Sequence, residues 1–241
     1  MSTSTVLIVG ATRGLGASLV RQYVARAGTT VFGTTRSNII PSGFPVPVKW
    51  LPGIDLMNQD AGDRLVKLLK DPHTSPPLST VIITAGHFTT EDLTAEKGPS
   101  WDEEQRIGSR VVLVSSESGS IALRHEKEGG GNYAHHASKA ALNMVGKLLS
   151  LDLKDKGVVV SIVHPGFMRT EMTAGVGFDK YWDDGGAVTP DEAAKSLVEW
   201  ADGLDMSKSG EYWAPRDPVS DIGTAEVVLG KGLSTPLHLP W

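Results

Sequence analysis

The sequence predicts an α/β fold, a doubly wound parallel sheet covered by helices on both faces and folded as one domain over residues 1–241. Short apolar runs alternate with segments of helical character, and this alternation is what successive βαβ units require. The runs are apolar almost without interruption, as strands buried on both faces must be. A glycine-rich turn separates the first run from the first helix, the position at which such sheets bind ligands. A chain of 241 residues suits one domain of this architecture.

The first strand is Val6 to Val9, cut short by Gly10, and Ala17 to Ala27 carries helix-forming residues. Thr29 to Thr35 gives a second strand, and Val46 to Leu51 and Leu78 to Ala85 give two more. A helix over Gln59 to Lys70, with its leucines and valine at helical spacing, separates these two. Arg110 to Ser115 and Val158 to His164 are the last strands of the pattern, joined by a long helix from about Ala134 to Lys156. Loops are expected at Pro41 to Pro47, at Arg124 to Gly131 and at 171–189. The last of these, irregular and following a strand end, carries Phe178, Tyr181 and Trp182 and is the candidate substrate loop.

Composition narrows the function. Hydrophobic residues are 40% and charged residues 21% of the chain, enough apolar material for a large core. A net charge of −5 and no cluster of Lys and Arg leave no basic field for phosphodiester backbones, so no nucleic-acid partner is expected. Cysteine is absent, which removes disulfides, thiolate metal sites and Cys nucleophiles. No run approaches the roughly 18 apolar residues of a membrane helix, and a cytoplasmic protein with no membrane partner is expected.

Gly10-Ala11-Thr12-Arg13-Gly14-Leu15-Gly16 lies between the first strand and the first helix. Glycines there permit a tight turn and close approach of the backbone to a diphosphate, which the helix N-terminus then faces. The spacing Gly-x-x-x-Gly-x-Gly resembles the signature of the short-chain dehydrogenase/reductase family, which has a Rossmann-type fold. Later segments share the resemblance in family order. Asp55-Leu56 resembles the family's adenine-contacting pair, and Thr84-Ala85-Gly86 its Asn-Ala-Gly turn. Pro165-Gly166, followed by Met168 and Thr170, resembles the segment that lies over the nicotinamide. The stretches 137–143 and 164–170 look most like the C-factor-like carbonyl-reductase branch. The resemblance therefore implies cofactor contacts at Gly10, Thr12, Arg13, Gly14, Leu15, Gly16, Asp55, Leu56, Ala85, Gly86, Pro165, Gly166, Met168 and Thr170.

Electrostatics selects the cofactor. NAD-specific sites place a carboxylate at the end of the second strand, whereas here the strand ends Thr34-Thr35-Arg36. Arg36 and Arg13 offer two guanidinium groups to a 2′-phosphate, so NADP(H) is expected.

In this family a Ser orients the carbonyl, a Tyr transfers the proton, and a Lys lowers the Tyr pKa and holds the ribose. A phenol near pKa 10 becomes a useful acid only beside a fixed positive charge. Ser116, in Ser115-Ser116-Glu117-Ser118-Gly119, matches the Ser; Lys139 matches the Lys and is also a cofactor contact. The Tyr does not match: His135 stands four residues before Lys139, and Tyr133 six. Positions four apart on a helix differ by about 40° and share a face, whereas six apart differ by about 240°. Three readings stay open: His135 as donor, Tyr133 displaced into the site by a late helix start, or no efficient donor. A histidine donor must be the imidazolium, which Lys139 disfavours, so such activity would favour mildly acid pH.

A second departure is the 22-residue connection from His87 to Gly108, shorter than the family's usual one. It still exceeds the roughly dozen residues a parallel crossover needs. Ser100-Trp101-Asp102-Glu103 is a capping-box pattern for one short helix within it. Reduced cover over the sheet makes a homo-oligomer a possible state. His135 and His136 point about 100° apart on a helix, so no metal is expected. Asp183, Asp184 and Glu171 read as a solvated loop face, and Trp101, Trp182, Trp200 and Trp213 as packing residues. The sequence thus points to an enzyme acting on a small carbonyl or alcohol substrate, or to an impaired relative that binds NADP(H) as a sensor or structural ligand.

Overall fold

The computed structural model describes residues 4–45, 47–69, 77–84, 109–216 and 223–241. Its sheet is built from β1 (Ser4–Val9), β2 (Thr29–Thr34), β3 (Val48–Leu51), β4 (Thr80–Ile83), β5 (Arg110–Val114), β6 (Val159–Val163), β7 (Tyr212–Ala214) and β8 (Leu237–His238). They lie in the order β3-β2-β1-β4-β5-β6-β7-β8, all parallel except the antiparallel pairing of β7 with β8. At the centre, Val6 of β1 pairs in register with Val31 of β2 and Thr80 of β4.

Alternation of side chains divides the core between the two faces of this sheet. Val6, Ile8, Val31, Ile82 and Val163 pack toward α1 (Gly14–Val24) and α5 (Pro190–Asp202). Leu7, Val9 and Phe32 pack on the other side with Leu65 and Leu69 of α2 (Ala61–Leu69). Leu113 and Ile162 meet Leu142, Leu149 and Leu153 of α3 (Tyr133–Leu153). Two short helices, α4 (Glu171–Gly175) and α6 (Gly223–Leu229), complete the set.

The expected strands and helices form within a few residues of their expected limits. Val46, Lys70 and Ala85, at three of those limits, lie outside the described residues, as does the connection 87–108 with its capping-box pattern and Trp101. The long helix begins at Tyr133 itself, and its last expected residues, Lys154–Lys156, tighten into a 3-10 turn ended by the left-handed Gly157. Segment 171–189 is more regular than expected. Thr170 and Thr173 form a reciprocal cap for α4, and Asp179–Tyr181 adds a 3-10 turn.

Helix α5 follows from signals beyond the alternating pattern. Thr189, Pro190 and Glu192 make a capping box with Pro in the first turn, a combination worth about 1 kcal/mol. Leu197, Val198 and Trp200 on its inner face are buried, each contributing about 1.5–3 kcal/mol. The Trp200 indole N–H donates to the buried Ser161 hydroxyl at 3.0 Å, satisfying the polar group that burial would otherwise strand.

Candidate functional site

The turn after β1 bends at Gly10, whose φ of +89° belongs to the left-handed region, and again at Gly14, with φ +52°. Its backbone is fastened to both neighbouring strands. The Gly10 N–H donates to Thr34 Oγ1 at 3.0 Å, and Thr84 Oγ1 donates to the carbonyls of Val9 and Gly10 at 3.0 and 3.1 Å. Gly16 sits so close to the turn that a Cβ there would lie 2.0 Å from Gly10 O and 2.8 Å from Thr84 Oγ1. No side chain caps α1, and no acidic residue occupies its first turn. Its leading N–H groups and the positive end of its dipole are thus left for an anion, so these residues fit a diphosphate.

Thr12 and Arg13 are exposed on this turn, whereas Leu15 and Gly16 are buried. Arg36 is exposed directly beyond β2, after the buried Thr34 and Thr35. Asp55 is half-buried, with one carboxylate oxygen accepting from Met57 N–H at 3.1 Å, and Leu56 is exposed beside it. Ala85 and Gly86 lie outside the described residues.

Ser116 follows β5 and caps a 3-10 turn, Glu117–Gly119. Its Oγ accepts from the Ser118 N–H at 3.3 Å and the Ser118 hydroxyl at 2.9 Å, so its own proton remains to be donated. Helix α3 packs directly on this turn: a Cβ at Gly119 would stand 2.8 Å from the Lys139 carbonyl carbon. Asn143, buried one helical turn further on, accepts from Ser115 Oγ at 2.6 Å. Lys139 is thereby brought to the end of β5, where its Nζ donates to Val114 O at 3.3 Å. Burial lowers the Lys139 pKa from the usual lysine range.

His135, one turn before Lys139, is half-buried. Burial first, then the charges of Lys139 and His136, lower its pKa to about 4. It is therefore a neutral imidazole at neutral pH. Tyr133 is the first residue of α3, so regular helical spacing applies to it and a late helix start does not occur. It is 79% exposed, and its hydroxyl lies near Gly130, at 3.0 Å from where a Cβ would stand. Regular helical spacing therefore sets Tyr133 about 240° around α3 from Lys139. The helix start is instead secured by Arg124, which bonds Glu117 and Glu128 and lies 3.1 Å from His136 Nε2.

Beyond β6, Pro165 and Gly166 are buried, with Gly166 at φ +95°. The chain then returns toward the glycine turn, since a Cβ at Gly14 would lie 3.9 Å from Thr170 Cγ2. Met168 packs on the core and bridges to Val188, which closes segment 171–189 at its base. Arg169, just before that segment, pairs with Asp183 within it at 2.8 Å, and Trp182 Nε1 donates to Thr173 Oγ1 at 3.2 Å. Tyr181 is exposed, while Phe178 and Trp182 are half-buried.

Three contributors escaped the sequence reading. His164 is buried at the end of β6 with its Nδ1 accepting from Glu117 N–H at 3.0 Å. The fully buried Tyr212 donates its hydroxyl to the Ser116 carbonyl, and burial raises its pKa well above the ordinary phenol value. Thr34 accepts from the turn. Only the position of each directly within or beside a strand end hinted at such roles. Among the described residues no group of three or more His, Asp or Glu is arranged to hold a metal, and no helix is long and apolar enough to cross a membrane.

Residues 79–180 match the short chain dehydrogenase family. The chain is 27% identical over 227 residues to 1-hydroxy-2-glutathionyl-2-methyl-3-butene dehydrogenase of Rhodococcus sp., covering 87% of this chain and 95% of that one. It is 35% identical over 104 residues to the C-signal protein of Myxococcus xanthus, covering 43% and 55% respectively. Among solved structures it superposes on carbonyl reductase Sniffer of D. melanogaster with a TM-score of 0.68 at 22% identity over 100% of both chains. With the NADPH-bound carbonyl reductase from chicken fatty liver the TM-score is 0.66 at 21% identity, over 89% of this chain and 92% of that one. These likenesses confirm the Rossmann-type fold.

Proposed function

This chain belongs to the short-chain dehydrogenase/reductase family of oxidoreductases, and on that premise we propose that it binds NADP(H) and interconverts a carbonyl and an alcohol on a small organic substrate. The observation that carries the proposal is the approach of Gly16 to Gly10 O beside an uncapped helix start, a surface suited to a diphosphate. Arg13 and Arg36 flank it and would hold the 2′-phosphate. When bound, NADP(H) supplies or accepts the hydride. The chain's own part is to orient and to move the proton. Ser116 orients the substrate oxygen by a hydrogen bond from its hydroxyl, and Lys139 holds the ribose side of the site. Phe178, Tyr181 and Trp182 favour an apolar or aromatic substrate.

The proton at the substrate oxygen is the weak point. With a pKa of about 4, His135 is protonated in roughly one molecule in a thousand at pH 7. This favours a second reading, a relative that retains NADP(H) as a sensor or structural ligand with slow turnover. Titration with NADPH and NADH, followed by NADPH oxidation with a panel of ketones and aldehydes, tests both. Preferential NADPH binding with turnover supports the enzyme, binding without turnover supports the second reading, and no binding overturns both.

We also propose self-association, in the cytoplasm. Met144, Val145, Leu148 and Leu151 form an exposed apolar row on α3, at spacings that share one helix face.

A further inference from the structure

The peptide plane that joins Ser116 to Glu117 is pinned at both ends by side chains from the end of β6 and from β7. Its carbonyl accepts from the buried Tyr212 hydroxyl on β7 and from Gly119 N–H at 2.9 Å. Its N–H donates to Nδ1 of His164, which is 5% exposed at the end of β6. His164 is itself held, its backbone N–H donating to Trp213 O at 2.8 Å. The rotation of this plane sets the direction in which Ser116 presents its side chain, because the plane and the Cα–Cβ bond share the Ser116 Cα.

We infer that His164 is a positioning residue for Ser116, acting as a neutral imidazole that carries its proton on Nε2. The inference rests on the functional reading above. The Glu117 N–H stands at the start of the 3-10 turn, before the turn's own hydrogen bonds begin, and its acceptor is His164 Nδ1 at 3.0 Å. A ring nitrogen accepts only where it carries a lone pair. The imidazolium and the Nδ1-protonated tautomer would each oppose one N–H to another and turn the plane. Because His164 directly precedes Pro165-Gly166, the same residue ties the Ser116 hydroxyl to the segment proposed to face the nicotinamide. Two halves of the site, carried by β5 and β6, thereby keep a fixed relation.

The test compares His164→Asn, which retains an acceptor close to the Nδ1 position, with His164→Leu, which does not. With NADPH and the carbonyl panel, His164→Leu is expected to lower kcat by about tenfold or more while NADPH affinity stays within about twofold, and His164→Asn to recover most of the loss. Equal losses in both variants would reduce the residue to packing, and no loss in either would overturn the inference. Nitrogen-15 NMR of the intact protein gives a second readout that needs no turnover. An Nε2-protonated His164, with a Glu117 amide whose exchange quickens in His164→Leu and recovers in His164→Asn, supports the assignment. An imidazolium or Nδ1-protonated ring overturns it. Absence of turnover in the unaltered protein would sink the functional reading, while the NMR result would still decide the role of His164.

Discussion

Replacing Gly16 by alanine puts the proposed cofactor cradle under direct stress. The added Cβ would stand 2.0 Å from Gly10 O and 2.8 Å from Thr84 Oγ1, well inside any tolerated contact. Gly10 O is backbone and cannot swing aside. The turn must move by about 1 Å, and overpacking of this kind costs about 1–3 kcal/mol. In a domain of this size each kcal/mol lowers Tm by about 2–4 °C. The larger consequence falls on the cofactor, because the displaced turn presents its N–H groups out of line with a diphosphate. Losing one charge-assisted hydrogen bond of about 1.5–3 kcal/mol weakens NADPH binding by about 10- to 100-fold. Gly43→Ala is the control. Its φ is +80° with nothing within 4 Å of an added Cβ, so it strains the backbone by about 1–2 kcal/mol without meeting any atom of the turn. Fluorescence titration and thermal melts on both variants separate the effects: both should melt earlier, and Gly16→Ala alone should lose NADPH. Equal NADPH affinity in the two variants would refute the assignment of the glycine turn as the cradle.

Arg13→Ala and Arg36→Ala should each weaken NADPH binding by about tenfold or more and leave NADH binding unchanged, as read by parallel titrations. If His135 donates the proton, the reduction rate should rise by about tenfold for each unit the pH falls from 7 toward its value of about 4, and His135→Tyr should raise turnover at pH 7. The same lowered pKa makes a stability statement: the unfolded chain takes up the proton first, so stability present above about 6.5 should diminish as pH falls toward about 4, and His135→Gln should flatten that slope in chemical denaturation. Arg124→Ala removes the ion pair with Glu117 beside the Ser116 turn and should cost about 2 kcal/mol, seen as a Tm lower by roughly 4–8 °C.

Much of the architecture was legible because strands buried on both faces leave continuous apolar runs, a mark that Val6 to Val9 and Arg110 to Ser115 carry, while Thr29 to Thr35 reads as a strand by its β-branched and aromatic residues. The glycine turn was legible for a different reason: positive φ at Gly10 and Gly14 and the lack of room at Gly16 each demand glycine in sequence. The C-terminal part was less readable by alternation, since β7 and β8 have only three and two residues. Helix α5 did announce itself, through Thr189, Pro190 and Glu192, to a reading that weighs caps as well as periods. The regularity of 171–189 escaped for lack of an apolar period, because it comes from threonine caps and the Arg169–Asp183 pair.

By itself the sequence determined the parallel sheet, the place of the glycine turn between β1 and α1, and the presence of His135, rather than a tyrosine, four residues before Lys139. These are properties of local spacing, and spacing is written in the chain. The tertiary structure alone decided that α3 begins at Tyr133, that burial lowers the His135 pKa, and that His164 and Tyr212 clasp the peptide after Ser116. Those outcomes depend on burial and on contacts between residues far apart in sequence, where the proton affinity of a ring or the direction of a hydroxyl is set by neighbours that no local pattern records.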